Sequence, residues 1–131
     1  MRSRAQALIA VALVVSVAAC SSASAATEDV NVEEFASVIE GPGIVILDVR
    51  TPEEFAQGHI AGSININVES PDFTSKVEQL DKSQTYAVYC RSGRRSGVAT
   101  QQMESLGFTS LYNMNGGVID WAGAGFELVT P

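Results

Sequence analysis

Histidine occurs once in the 131 residues and cysteine twice, as Cys20 and Cys90. A typical zinc site needs four ligands drawn largely from these two residues, so that class is excluded and no metal is expected. Long hydrophobic runs are also scarce. The one such stretch, Ala5 to Ala19, is broken by Gln6 and Ser16 and is too short for a stable membrane span. Positive charge is in short supply: eight Lys and Arg stand against fifteen Asp and Glu, for a net charge of −7. Bulk electrostatics therefore speak against nucleic acid as a partner. No internal repeat appears, and the length bounds the chain to one domain with one core. With 46% apolar and 18% charged residues, the composition is that of an ordinary globular fold.

The first twenty residues differ from the rest. Arg2 and Arg4 form a basic start, the apolar stretch follows, and small residues close it. This pattern reads as a secretory signal peptide over 1–20. Val17-Ala18-Ala19-Cys20 resembles a bacterial lipobox, in which Cys20 becomes the lipidated first residue. Ala23-Ser24-Ala25 followed by Ala26 resembles an ordinary signal-peptidase site. The lipobox is preferred, because it explains a cysteine set directly behind the small residues. The expected location is the cell envelope. Contact with a membrane is then only through a lipid anchor on Cys20, and without the anchor the protein is periplasmic or secreted. Residues 21–29 read as a small, polar tether and 30–131 as the folded domain. Loss of the leader removes two arginines and no acid, which takes the net charge from −7 to −9. Three of the six remaining basic residues are Arg91, Arg94 and Arg95. Cys90 is left unpaired in an oxidising compartment, where structural cysteines normally come in pairs.

Within the domain, Asn31 is placed to cap a helix with Val32, Phe35, Ala36 and Ile39 on one face. Gly41-Pro42-Gly43 ends it. The β-branched run Ile44 to Val49 reads as a strand covered on both faces. Thr51 as N-cap, Pro52 at the first helical position and Glu54 completing a capping box open a short helix that ends near Gly58. A brief strand, Ile64-Asn65-Ile66, follows a turn. Pro71 to Leu80 reads as a weak helix with Phe73, Val77 and Leu80 inward. Thr85 to Tyr89 is a strand. Gly97 to Leu106 is a helix with Val98, Ala99, Met103 and Leu106 apolar, stopped by Gly107. Phe108 to Met114 contains a last strand, and Gly116-Gly117 begins a short helix through Trp121. Strands alternating with helices indicate an α/β fold with a central, largely parallel sheet flanked by helices.

Cys90 sits between the strand and the helix, in Cys90-Arg91-Ser92-Gly93-Arg94-Arg95-Ser96. In α/β folds ligands bind outside the C-terminal ends of strands. Unpaired N–H groups and the positive end of the helix dipole favour a thiolate there and an anion beside it. An acidic chain that gathers half its cations around one thiol points to a small anion as its ligand.

Four stretches resemble the rhodanese-like sulfurtransferase family. They are Leu47-Asp48-Val49-Arg50 with Pro52-Glu53-Glu54-Phe55, then Gly58 to Ile66, then the Cys90 to Ser96 loop, then Gly116-Gly117-Val118-Ile119-Asp120-Trp121. The resemblance spans about residues 31 to 129 and implies a single rhodanese-like domain. It implies a thiosulfate sulfurtransferase (rhodanese)-type enzyme. Cys90 would take sulfane sulfur from an anionic donor such as thiosulfate and pass it, through a persulfide, to cyanide or a thiol. Arg91, Ser92, Gly93, Arg94, Arg95 and Ser96 would bind the donor, with Arg91 and Arg95 attracting it and stabilising departing sulfite. Asp48 and Arg50 would support the loop. No cofactor is implied. His59 is expected to be a turn or packing residue and Trp121 to be core. One alternative is a persulfide carrier or interaction module without turnover. Slow reaction with cyanide beside fast transfer to a protein thiol would mark that carrier. A cysteine phosphatase or arsenate reductase is the other alternative. A phosphatase loop needs arginine six places after the cysteine, where this chain has Ser96.

Overall fold

The computed structural model describes residues 25–131. The proposed leader, Cys20 and residues 21–24 of the tether lie outside the described residues. Among the described residues no helix is long and apolar enough to cross a membrane.

The elements in chain order are β1 (Thr27–Val30), α1 (Val32–Ile39), β2 (Ile44–Asp48), α2 (Pro52–Gln57), β3 (Ile64–Asn65), α3 (Phe73–Val77), β4 (Thr85–Tyr89), α4 (Arg94–Ser105), β5 (Leu111–Met114) and α5 (Gly117–Gly123). The five strands form one sheet in the order β1-β5-β4-β2-β3, and every pairing is parallel. The largely parallel sheet expected from sequence is thus parallel throughout. β4 lies at its centre. Its residues alternate between two cores, as a period of two requires. Tyr86 and Val88 pack with Leu47, Phe73, Val77, Ala99 and Met103, under α3 and α4. Ala87 and Tyr89 pack with Phe35, Val118 and Trp121, under α1 and α5. Cys90 continues the Tyr86 and Val88 face.

From β2 the chain turns outward to β3, and from β4 it turns the other way to β5. The reversal opens a crevice beyond the ends of β2 and β4, where ligands bind in open α/β sheets. Asp48 ends β2 and Cys90 follows β4, so both flank it.

Local signals set several boundaries. Asn31 Oδ1 accepts from the Glu34 N–H at 2.9 Å, and Glu34 returns a bond from the Asn31 N–H, completing a capping box. Thr51 caps α2 through the Glu54 N–H, with Pro52 at its first position. The Glu54 carboxylate does not close a box there, since an arginine from α4 engages it.

Other expectations shift. The tether assigned to 21–29 ends early: Thr27–Val30 is an edge strand paired with β5. Only Val30 of it is buried, so the stretch carries no apolar signature. Its hold comes from backbone pairing and from Asn113, whose Nδ2 donates to Asp29 Oδ1 at 2.8 Å. α3 is one turn, shorter than Pro71 to Leu80, although Phe73 and Val77 are buried as expected. The last strand begins at Leu111, and Phe108 reaches the core from the preceding turn. α4 begins at Arg94 rather than Gly97. Its buried stripe is Ser96, Ala99, Thr100 and Met103, while Val98 is exposed. Two hydroxyl residues occupy the core-facing stripe because each satisfies itself locally. Ser96 Oγ donates to the Gly93 carbonyl and Thr100 Oγ1 to the Gly97 carbonyl, both at 3.1 Å.

Candidate active site

The site begins with the end of β4. Cys90 is 1% exposed, free of any disulfide, and its sulfur faces the start of α4. The intervening turn needs Gly93 in the left-handed region, at φ 105°, as the helix N-cap. That backbone aims the Gly93 N–H at Cys90 Sγ, 3.0 Å away. Arg94, Arg95 and Ser96 therefore form the first helical turn, not a loop.

Burial of the sulfur pushes its pKa up. The Ser96 hydroxyl and the backbone N–H groups of Ser96, Gly93 and Ser92 outweigh that, and hold the thiol below its ordinary range. Ser96 Oγ lies 3.4 Å from Sγ and also 3.1 Å from the Gly93 carbonyl. One hydroxyl proton serves both. With a neutral thiol, the S–H donates to Ser96 Oγ and the hydroxyl donates to Gly93. With a thiolate, the hydroxyl turns to the sulfur.

α5 braces this turn from behind. The Val118 N–H donates to the Cys90 carbonyl at 3.0 Å and the Ile119 N–H to the Arg91 carbonyl at 3.2 Å. Gly117, at φ 57°, makes the approach possible: a Cβ there would lie 2.3 Å from the Arg91 carbonyl oxygen and 2.6 Å from that of Cys90. Sequence reasoning took Gly116-Gly117 as a helix start and family signature, and missed this contact. Two adjacent glycines were the available sign.

The remaining expected site residues divide. Arg91 is exposed on the wall of a cavity of about 310 Å³ lined also by Arg50, Glu54, Gln57, Gly58, Val118, Ile119 and Leu128. Ser92 and Arg94 are exposed as well, and Ser96 is buried. Arg95 is engaged elsewhere. Its Nη1 and Nη2 donate to Glu54 Oε1 and Oε2 at 2.7 and 2.8 Å. Thus the expectation that Arg95 offers its guanidinium to the donor meets a competing carboxylate 41 positions earlier, which no local pattern announced.

Asp48 and Arg50 form a buried pair, with Arg50 Nη2 donating to Asp48 Oδ2 at 2.7 Å and to the Gly58 carbonyl at 2.6 Å. Asn65 Nδ2 donates to the carbonyls of both residues. The pair thus ties β2 to the end of α2 and to β3. Among the described residues, no hydrogen bond joins either side chain to residues 90–96, contrary to the expected loop support. Their link runs through Tyr89: the Arg50 guanidinium lies 5.7 Å from its ring centroid, and the Val49 N–H donates to its carbonyl. His59 stacks on Phe55 at 3.7 Å and shares a bond with the Phe55 carbonyl, a packing role. Trp121 is core, with its Nε1 donating to the Glu127 carbonyl.

A rhodanese-like domain model matches residues 31–124. A sulfurtransferase from Allochromatium vinosum is 32% identical over 67% of this chain and 80% of its own length. A chloroplastic thiosulfate sulfurtransferase from Arabidopsis thaliana is 41% identical over 58% of this chain and 72% of its own. Among solved structures, a rhodanese-related protein from Thermoplasma volcanium is 31% identical, covers 79% of this chain and 99% of its own, and superposes with a TM-score of 0.70. With an all-parallel sheet, a cysteine at its central strand's end and this match over most of its length, the chain belongs to the rhodanese-like domain family.

Proposed function

We propose that the protein is a sulfurtransferase that moves sulfane sulfur from thiosulfate, or a similarly anionic donor, to a nucleophilic acceptor through a persulfide on Cys90. One observation carries the reading: a buried, unpaired sulfur receives the Gly93 N–H at 3.0 Å in surroundings that favour its anion. The names of the Allochromatium and Arabidopsis relatives support it.

In the first half-reaction the Cys90 thiolate attacks the outer sulfur of thiosulfate. A bond forms between Sγ and that sulfur, the donor's S–S bond breaks, and sulfite leaves with the electron pair. Arg91, on the cavity wall, attracts the dianion and steadies the departing sulfite, a charge-assisted contact worth about 1.5–3 kcal/mol. In the second half-reaction the acceptor's lone pair attacks the outer sulfur, and the bond to Sγ breaks to restore the thiolate. Cyanide leaves as thiocyanate. A thiol leaves as a persulfide and gives its proton to solvent. No outside oxidant or reductant is consumed. Because the enzyme carries the sulfur between two substrates, ping-pong kinetics are expected. A thiolate that is already ionised needs no general base, which agrees with His59 standing apart in a packing role.

Intact-mass measurement of the purified protein after thiosulfate tests the proposal. A gain of one sulfur, removed by cyanide and absent in Cys90→Ser, is the expected result. Sulfur uptake that persists in Cys90→Ser refutes it. The same spectrum reads the N-terminus, and so separates lipidation at Cys20 from cleavage after Ala25.

A further inference from the structure

Arg95 lies in the first turn of α4, where the helix dipole already supplies positive potential and a further cation is unfavourable. The compensating charge comes from a different element. Glu54, in the first turn of α2, meets the guanidinium in a two-pronged, charge-assisted pair, with side chains 28% and 18% exposed. The Glu54 carboxyl is held down to about 2 by Arg95, with Thr51 adding to the effect, so the pair is ionised throughout the neutral range. Arg95 is also within electrostatic reach of Cys90 and of Glu69, and Arg50 feels Glu54 in turn. The helical turn that follows the sulfur therefore carries a neutral pair instead of a bare guanidinium. Arg91, exposed on the cavity wall and in no ion pair among the described residues, is left to meet the donor.

We propose that Glu54 is a positioning residue of this site: by clamping Arg95 it sets, from α2, the charge that both the sulfur and the incoming anion experience. Its effect on donor binding rests on the sulfur-transfer reading above. Its effect on the thiol rests on the ion pair and on the place of Arg95 next to Ser96, whose Oγ lies 3.4 Å from Cys90 Sγ. The pair moderates the site. Without the carboxylate, Arg95 would stabilise the thiolate further and bind the donor more strongly. A thiolate of lower basicity is a weaker nucleophile, so the clamp preserves reactivity in the sulfur it helps to place.

The test is a charge cycle on the full chain, read by the pH dependence of Cys90 alkylation and by thiosulfate kinetics with cyanide as acceptor. Glu54→Gln keeps a hydrogen-bond acceptor but removes the charge. It is expected to move the alkylation midpoint down and to lower the thiosulfate KM by about ten- to a hundredfold, the gain of one charge-assisted contact. Arg95→Gln strands the carboxylate and is expected to move the midpoint up. The double variant returns it toward the starting value. Opposite shifts that cancel are not produced by loosened structure, which moves both singles the same way. The proposal is overturned if Glu54→Gln leaves the midpoint unchanged or raises it, or if the double variant keeps a single variant's shift. Should Glu54→Gln fail to fold, the direction of the Arg95→Gln shift decides alone, and a fall or no change overturns the proposal. Absence of thiosulfate-to-cyanide turnover in the unaltered protein would instead refute the sulfurtransferase reading, and the alkylation result would stand on its own.

Discussion

Gly117→Ala is the perturbation that the site's architecture predicts most sharply. The residue is buried and has no side chain, and its replacement adds one methyl group. That methyl group would sit 2.3 Å from the Arg91 carbonyl oxygen and 2.4 Å from its carbon. A separation of at least 3.0 Å is needed, so the turn after Cys90 must withdraw from α5 by about 0.7 Å. The bonds from Val118 to the Cys90 carbonyl and from Ile119 to that of Arg91 then lengthen, at about 1 kcal/mol each. The left-handed backbone at φ 57° adds about 1–2 kcal/mol for a side chain. The expected loss of stability is about 3–4 kcal/mol. The effect on turnover is expected to be larger than stability explains, because a shift near 1 Å at reacting groups costs on the order of a hundredfold. Gly43→Ala is the control. It has a similar left-handed backbone, φ 73°, with nothing within 4 Å of the added carbon. It is expected to lose only the conformational part and to keep its turnover. Urea melts give the stabilities, and thiosulfate-to-cyanide turnover is compared at a temperature where both variants are folded. Turnover in Gly117→Ala within about twofold of Gly43→Ala would refute the claim that α5 sets the sulfur's position.

Four further outcomes follow from the same geometry. Asp48→Ala leaves the Arg50 guanidinium buried with only the Gly58 carbonyl as a side-chain partner, and is expected to cost about 3–5 kcal/mol in a urea melt; a loss below about 1 kcal/mol would contradict a buried charge pair. Tyr89→Phe removes the oxygen that accepts from the buried Ile60 N–H at 3.0 Å, for an expected loss of about 1–3 kcal/mol, and an unchanged melt would mean that another acceptor takes over. Ser96→Ala deletes the hydroxyl that favours the thiolate, so the midpoint of Cys90 alkylation should rise, and a fall would contradict the assigned cause. The Glu54 carboxyl is depressed in the folded state, so its contribution is present above its unfolded value near 4.5 and is lost as pH falls through about 2. The gap in melting temperature between the protein and Glu54→Gln should therefore narrow across that window, and a gap independent of pH would show that the pair is not electrostatic.

Much of the fold was legible because its signals are local. Asn31 and Thr51 act through bonds to residues three positions on, so the starts of α1 and α2 could be read directly. The alternation of Tyr86 and Val88 against Ala87 and Tyr89 follows from the pleat alone. Where the reading slipped, the pattern was polar. β1 has a single apolar residue, Val30, and is held at an edge by backbone pairing, and α4 buries Ser96 and Thr100, whose hydroxyls bond to carbonyls three positions back. Val98 followed the apolar expectation and lies outside.

Local sequence placed the sulfur at a strand's end, before a helix, beside a glycine able to turn the chain. Those are properties of neighbouring residues and of backbone preferences. The surroundings of that sulfur were set by packing between distant elements. That packing drew Arg95 away to Glu54, and it set Gly117 against the carbonyls of Cys90 and Arg91. It also left Arg91 facing the cavity. The partners in these contacts lie on separate elements of the chain, and half of them are backbone atoms that every residue carries. Packing chooses among such partners by distance in space, and composition and spacing hold no record of that choice.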